Sequence, residues 1–267
     1  MNPTSDPALP VLFVGHGSPM NAIEDNAYSR AWAALGRRLP RPRAILCVSA
    51  HWETRGIYVT AAEQPETIHD FYGFPKALFD VRYPAPGSPA LARRVAGLLG
   101  AGPAPLRVHL DPGRGFDHGL WSVLRVIVPQ ADIPVVQLSL DSGRPGAYHL
   151  EVGRRLAPLR REGVLILGSG NIVHNLRLFD FHDPAPLDWA LRFQTLANRL
   201  LEAGDDQALT DYPALGADAA WAIPTPEHYL PLLYVLGARD PAEPPRLFND
   251  TVYSALSMTS AGYGKLS

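Results

Sequence analysis

Short apolar runs that end abruptly in glycine and histidine constrain the fold of this chain most. Residues 11–14 are all apolar and stop at the tripeptide Gly-His-Gly (15–17), and the run at residues 43–50 stops at His51. Short apolar runs bounded by turn residues are typical of strands buried inside a parallel sheet. We therefore expect an α/β fold that carries histidines at the carboxyl edge of its sheet, where open α/β sheets bind ligands.

Strand-like runs alternate with helical segments along the chain. Strands are predicted at residues 11–14, 43–50, 57–60, 108–110, 133–139, 164–168 and 249–258. Helices are predicted at residues 27–39, 88–99, 120–128, 146–159, 187–203 and, with Thr225 as cap, from Pro226 to about Leu236. This alternation predicts a single domain over residues 1–267, with a mostly parallel sheet flanked by helices and a flexible polar tail at residues 1–9.

The charge and cysteine content exclude several classes of protein. Lys and Arg number 24 against 26 Asp and Glu, giving a net charge of -2 without a basic run, so no nucleic-acid partner is expected. The single cysteine, Cys47, excludes an intrachain disulfide framework and a thiolate metal cluster. No apolar run approaches the length of a membrane span and no signal-peptide pattern is visible, so a cytoplasmic protein without a membrane partner is expected.

Histidines at the ends of predicted elements are the main candidates for chemistry. Four of the nine lie in turns rich in glycine, serine and proline: His16, His51, His174 and His228. The other histidines have different contexts: His118 follows Asp117, His69 and His149 are less clearly placed, and His109 and His182 are predicted to have no role. Neutral imidazoles at adjacent strand ends suit a zinc or iron ion. Spacing alone leaves scattered loop histidines as the alternative.

Ser169 is a rival candidate for chemistry. It lies between Gly168 and Gly170 after a predicted strand, as a nucleophilic serine does in α/β hydrolases. That motif needs Gly-x-Ser-x-Gly, however, and residue 167 is leucine. The spacing therefore disfavours a serine hydrolase.

Six motifs in a fixed order make the sequence similar to a known family. They are GHGSPM (15–20), SAHW (49–52), HDFYGFP (69–75), GFDHG (115–119), GSGNIVHN (168–175) and PTPEHY (224–229). No single motif is specific, but the ordered set closely resembles the DOPA 4,5-dioxygenase branch of the class III extradiol ring-cleaving dioxygenases. The resemblance covers nearly the whole chain and implies one α/β domain with a central mixed sheet.

The resemblance implies roles for particular histidines. His16, His51 and His228 match metal ligands, and His174 matches an acid/base residue whose ligation of the metal is left open. His118 would act beside them. One divalent ion per chain is implied, either Fe(II) or Zn(II), because a histidine-only site also suits zinc. Glu227 either turns into the site or faces solvent at a helix start.

The implied reaction is cleavage of the aromatic ring of a DOPA-like catechol, with incorporation of both atoms of O2. Trp52, Phe71, Tyr72 and Asp117 are the predicted substrate-binding residues, although aromatic side chains in loops also pack against cores. A zinc-dependent hydrolase or a metal-binding protein on the same scaffold remains the alternative. The particular catechol, the bond cleaved and the oligomeric state are not predicted.

Overall fold

The computed structural model describes residues 8–266, so residues 1–7 of the tail predicted at residues 1–9 lie outside the described residues. Leu9, at the end of that predicted tail, is buried and its backbone is hydrogen-bonded to Arg160. The strands within the described range are β1 Val11–Gly15, β2 Ala44–Thr54, β3 Ile57–Thr60, β4 Val108–Asp111, β5 Val135–Asp141, β6 Val164–Gly170, β7 Arg246–Phe248, β8 Val252–Tyr253, β9 Leu256–Ser257 and β10 Ser260–Tyr263. The α-helices are α1 Ala27–Arg38, α2 Lys76–Phe79, α3 Pro89–Leu99, α4 His118–Ile127, α5 Gly146–Leu156, α6 Asp188–Ala203, α7 Asp206–Thr210, α8 Ala217–Ala222 and α9 Leu230–Ala238.

An eight-stranded mixed sheet organises the molecule, in the order β4-β3-β5-β2-β6-β1-β10-β7. Its central strands β5, β2, β6 and β1 are parallel, whereas β10 runs antiparallel to both β1 and β7. At the other side, β3 is antiparallel to β5 and carries β4 in parallel. The predicted α/β fold with a mixed sheet is confirmed, and the four central strands deliver their carboxyl ends to one edge.

The central strands are buried on both faces, which explains their continuous apolar sequences. Every residue of β1, β5 and β6 is buried. One face of the sheet packs against α3, α5, α6 and α9, and the other packs against α1 and α4. Helix α9 is buried over its whole length and packs closely on α5 and β6.

Two glycines of β6 allow the chain around residue 228 to lie directly on the sheet. A Cβ atom at Gly170 would collide with the carbonyl oxygen of His228. A Cβ atom at Gly168 would come close to the carbonyl oxygen of Pro231. Because the backbones touch here, His228 lies beside the end of β6 and next to the end of β1.

The predicted helix starting at Pro226 is corrected by the structure. Residues 226–229 form a turn in which the backbone N–H groups of Tyr229 and Leu230 donate to the Pro226 oxygen, and α9 begins at Leu230. Thr225 donates its hydroxyl to Glu227 rather than capping a helix. His228 therefore lies in a turn before the helix, with its carbonyl group bonded by the N–H of Asn171.

The predicted final strand at residues 249–258 is also corrected. Positive φ angles at Asn249 and Ser254 break the segment, and its regular part is the short hairpin of β8 and β9. The last strand of the main sheet is β10, which pairs with β1. Within residues 8–266, no helix is both long and apolar enough to cross a membrane.

Candidate active site

Five histidines meet at the carboxyl edge of the central strands, and we call them the histidine cluster: His16, His51, His118, His174 and His228. The rings of His16, His51 and His228 form a triangle with centroid separations of 5.0, 5.0 and 5.3 Å. One nitrogen from each of these three residues can face a common point, since the three atoms lie within 4.8 Å of one another. The structure thus brings the four turn histidines and His118 into one region.

Ser169 fixes the orientation of His16. The Ser169 hydroxyl donates to the carbonyl oxygen of Gly119 at 2.6 Å, so its oxygen is left to accept the Nδ1 hydrogen of His16 at 3.0 Å. This tautomer leaves the lone pair of His16 Nε2 free for a metal ion. Ser169 is also fully buried, and its proton points away from His16. It is therefore not arranged as the nucleophile of a hydrolase.

Glu227 fixes the orientation of His228. Its Oε1 atom lies 3.0 Å from His228 Nδ1 and also accepts the hydroxyl hydrogen of Thr225 at 2.9 Å. The carboxylate thus turns inward, and its side chain is only 18% exposed. His228 Nε2 is buried and finds no hydrogen-bond partner among the described residues. Such an unpaired nitrogen is costly unless a cation binds it.

His51 lies in an irregular part of β2. The pairing of β2 with β5 shifts register between Val48 and Glu53, and this turns the His51 ring toward His16. Their Nε2 atoms are 3.1 Å apart. Two imidazole ligands about 2.1 Å from one ion place their nitrogens about 3.0–3.4 Å apart, depending on octahedral or tetrahedral geometry. The observed separation fits a shared metal ion.

Burial keeps the proposed ligand histidines neutral. Desolvation lowers the pKa of His16 and of His228 well below the ordinary value, and repulsion from neighbouring histidines lowers both further. For His51, burial and then His118 lower the pKa to about 3. Neutral imidazoles present lone pairs, which is the form that binds a metal. The donor set therefore fits a divalent ion.

His174 stacks on His228 within the histidine cluster. The ring centroids are 3.4 Å apart, the planes are within 8° of parallel, and His174 is half-buried. Burial lowers the pKa of His174 to about 4, although the nearby Glu227 charge opposes this shift. His174, Glu227 and His228 form a second group of potential ligand atoms, so ligation by His174 remains a prediction.

His118 is joined to the histidine cluster through Asp70. The carboxylate of Asp70 accepts a hydrogen bond from the backbone N–H of His118 at 2.9 Å. It also lies 2.9 Å from the Nδ1 atom of His118, although the alignment there is too poor for a hydrogen bond. The distance from the same carboxylate to His51 Nδ1 is 4.0 Å. Burial disfavours the ionised form of Asp70, but the contacts with His118 and His51 lower its pKa to about 2. Asp70 therefore supplies negative charge beside two histidines.

Asp117 lies beneath the histidine cluster and is fully buried. Its carboxylate accepts hydrogens from the Ser49 hydroxyl at 2.7 Å, the Leu120 backbone at 3.2 Å, and the Gln137 amide. These contacts cap α4 and brace β2 two residues before His51. The structure thus shows Asp117 in a supporting position, and its predicted contact with substrate stays a prediction.

The predicted aromatic residues differ in their relation to the histidine cluster. Phe71 approaches the His118 ring edge-on, with centroids 5.5 Å apart. Trp52 is buried at 6% exposure, and the guanidinium of Arg114 lies 5.2 Å from its ring centroid. Tyr72 is 92% exposed, so its side chain projects into solvent. The aromatic loop therefore turns Phe71 inward and Tyr72 outward.

The remaining histidines lie outside the cluster. His149 is buried beside Tyr234, His69 contacts the Val81 carbonyl oxygen, His109 stacks on Tyr58, and His182 is exposed.

Sequence reasoning missed three residues at the site: Ser169, Asp70 and Arg114. Ser169 was considered only as a nucleophile, although its position at the end of a buried strand could have suggested a contact with a neighbouring strand-end histidine. Asp70 lies inside the HDFYGFP motif at residues 69–75, but nothing in the sequence distinguishes it from the other residues of that motif. Arg114 meets the His51 carbonyl oxygen only because folding brings these distant residues together, and no sequence pattern links them.

Comparisons with known proteins agree with the geometry. Residues 10–264 match the family described as the catalytic LigB subunit of aromatic ring-opening dioxygenase. A protein of Escherichia coli K12 named 4,5-DOPA dioxygenase extradiol is 55% identical over 90% of this chain and 89% of its own. A Beta vulgaris protein of the same name is 40% identical over 85% of each chain. The crystal structure of an uncharacterized Escherichia coli K12 protein superposes with a TM-score of 0.83 at 48% identity, covering 96% of this chain and 100% of that one.

Proposed function

Since this chain belongs to the LigB family of aromatic ring-opening dioxygenases, we propose that it opens the ring of a DOPA-like catechol at an Fe(II) ion bound by His16, His51 and His228. The enzyme is an extradiol dioxygenase, as its family and its relatives agree. The finer proposal rests on one observation above all. The Nε2 atoms of His16 and His51 lie 3.1 Å apart, and the Nε2 atom of His228 is buried without a partner.

Iron is proposed over zinc because ring cleavage requires a change of redox state. Bound Fe(II) supplies the electron transfer that couples a catechol to O2, whereas zinc has no accessible redox change. The chain contributes three oriented imidazoles, whose tautomers are supported by Ser169 and Glu227. These three imidazoles would hold the ion, and the catechol would bind beside them.

His174 is proposed as the proton-transfer residue. A catechol must lose protons from its hydroxyl groups, and a neutral imidazole within reach accepts one. His174 is half-buried and burial lowers its pKa to about 4, so at pH 7 it is neutral and carries a nitrogen lone pair that can accept a proton. Its stacking on His228 holds the ring beside the proposed metal ligands. His118, which lies beside Asp70, would assist this proton transfer.

The substrate ring is proposed to lie against Phe71, which already packs edge-on to His118. Trp52, buried with Arg114 over its ring, is proposed to form a second part of the substrate site, and Asp117 is proposed to act through its hydrogen bond with Ser49. Tyr72 would contact only the outer part of a substrate, because its side chain is exposed. The relatives named for 4,5-DOPA support a DOPA-like substrate here.

Dioxygen uptake tests the proposal. Purified protein is stripped of metal, loaded anaerobically with Fe(II) or Zn(II), and mixed with L-DOPA in aerated buffer. We expect uptake with iron alone and a yellow ring-opened product. Uptake with neither metal across a panel of catechols would contradict the proposed function and favour a zinc-dependent hydrolase or a binding protein.

A further inference from the structure

Arg114 brings a fixed positive charge to the histidine cluster. Its Nη2 atom donates to the His51 carbonyl oxygen at 3.4 Å, and its guanidinium lies over the Trp52 ring at 5.2 Å. The backbone of its loop is also anchored, since the N–H groups of Gly113 and Arg114 both donate to the Asp111 carboxylate. The guanidinium is therefore preorganised rather than free to swing in solvent.

The positive charge of Arg114 is incompletely matched. Its nearest carboxylate oxygen, on Asp117, is 3.7 Å away, and that carboxylate already accepts three other hydrogens. Within residues 8–266, Arg114 Nε is buried without a hydrogen-bond partner. The side chain is nevertheless 26% exposed, so part of it faces outward. A guanidinium with unused donors favours a carboxylate ligand.

The other charged groups around the histidine cluster are acidic. Asp70 and Glu227 have side chains 23% and 18% exposed, and both lie against proposed metal ligands. An anionic substituent on the substrate would be repelled by these two carboxylates. Arg114 instead brings a positive charge, since it contacts the His51 carbonyl oxygen and lies near the Asp117 carboxylate.

We propose that Arg114 forms a subsite for a carboxylate on the side chain of the catechol substrate. The inference rests on the proposed function, and it assigns to Arg114 the recognition of the carboxylate that a DOPA-like catechol carries. The guanidinium binds that carboxylate while the two ring oxygens occupy the metal centre, so Arg114 is a specificity-determining residue. Amide or unsubstituted catechols reach the same centre but lose this contact.

Two matched probes test the subsite: 3-(3,4-dihydroxyphenyl)propionate and its primary amide. Their dissociation constants are measured anaerobically on the full-length protein loaded with Zn(II), which binds without turnover. We expect wild-type protein to bind the carboxylate roughly tenfold to a hundredfold more tightly than the amide, as for a charged hydrogen-bonded pair. Arg114→Gln should abolish that preference with little change for the amide, and Arg114→Lys should retain part of it.

Arg144→Gln is the matched control, because Arg144 lies 4.6 Å from the Tyr148 ring centroid in a similar cation–π contact outside the cluster. It should keep the wild-type preference. An unchanged preference in Arg114→Gln would overturn the inference. Equal weakening of both probes would also overturn it, since that result assigns Arg114 only to holding His51. These dissociation constants do not depend on turnover, so absence of dioxygen uptake by the iron-loaded enzyme would defeat the proposed function separately.

Discussion

His149 and the histidine cluster are similarly removed from solvent but are bonded in opposite ways. His149 is 0% exposed, and His16 is 2% exposed. The Nε2 atom of His149 donates to the Arg144 carbonyl oxygen at 3.3 Å, and its Nδ1 lies 3.0 Å from the Tyr234 hydroxyl. In the cluster, His228 Nε2 has no partner among the described residues, and the Nε2 atoms of His16 and His51 face each other.

The comparison teaches that burial alone does not identify a ligand histidine. A buried neutral imidazole is stable when one nitrogen donates and the other accepts, as in His149. Each of His16 and His228 has its Nδ1 hydrogen bonded to an oxygen and its Nε2 left open. The unfilled nitrogen is thus the feature that distinguishes His16 and His228, as proposed metal ligands, from the structural His149.

The largest effect should come from removing a proposed ligand. His16→Ala or His51→Ala should lower metal affinity more than the 10–100-fold typical of supporting residues and should abolish dioxygen uptake. His149→Gln should keep both metal content and uptake, as should the exposed control His182→Ala. Metal analysis after dialysis against a chelator measures this difference. Equal metal content in all four variants would refute the assignment of the ligands.

The second largest difference between the histidine cluster and His149 should appear when the hydrogen-bond partner of a histidine is removed. Glu227→Leu takes the acceptor from His228 Nδ1 and should weaken metal binding by about 10–100-fold. Tyr234→Phe takes the partner from His149 Nδ1 and should instead cost about 1–3 kcal/mol of unfolding free energy. Chelator competition and urea unfolding, run on both variants, measure the two quantities. The comparison fails if Tyr234→Phe alters metal affinity as strongly as Glu227→Leu.

Ser169→Ala should weaken metal binding by about tenfold, which is the lower end of the range expected for Glu227→Leu. The variant frees His16 to adopt the other tautomer, because Nδ1 loses its acceptor. Nitrogen-15 NMR of the metal-free protein reports the tautomer directly, and Ser169→Thr retains the hydroxyl as the control. If the His16 tautomer is unchanged in Ser169→Ala, the serine does not orient the ring.

The smallest effect concerns pH and His149. Burial, partly opposed by the hydrogen bond to Arg144 and the charge of Asp141, lowers its pKa from 6.5 to about 4. The unfolded chain therefore binds the proton more readily, and stability from this residue is lost as pH falls from 6.5 toward 4. Between pH 7 and pH 6 the loss should be about 0.7 kcal/mol. Urea unfolding of wild type and His149→Gln in the same metal state measures it; parallel pH profiles would contradict the prediction.

Much of the fold followed from sequence because its central strands are continuous apolar runs. Buried strands of this kind are visible without tertiary information, and the ends of the apolar runs indicated His16 and His51, although β2 itself continues past His51 to Thr54. The turn at His228 was misread as a helix start, because Thr225 and Pro226 satisfy local capping preferences. Contact with β6 at Gly170 overrides those preferences. Local patterns do not record such a long-range contact.

The supporting atoms of the site were harder to predict than its histidines. Ser169 bridges His16 and the Gly119 carbonyl oxygen, which are brought together only by packing of α4 on the sheet. Arg114 and His51 likewise meet through a backbone carbonyl group, which has no sequence signature. The motifs therefore revealed the residue types for the chemistry, whereas the geometry that orients them needed the fold.

The position of β1 between β6 and β10 has a consequence for synthesis of the chain on the ribosome. Strand β1 cannot complete its pairing until residues 164–170 have been synthesised for one side and residues 260–263 for the other. A nascent chain that ends before residue 228 holds only two of the three proposed metal ligands. The proposed metal centre is therefore complete only after residue 228 has been synthesised and has left the ribosome, so binding by all three proposed ligands would follow synthesis of α6, α7 and α8.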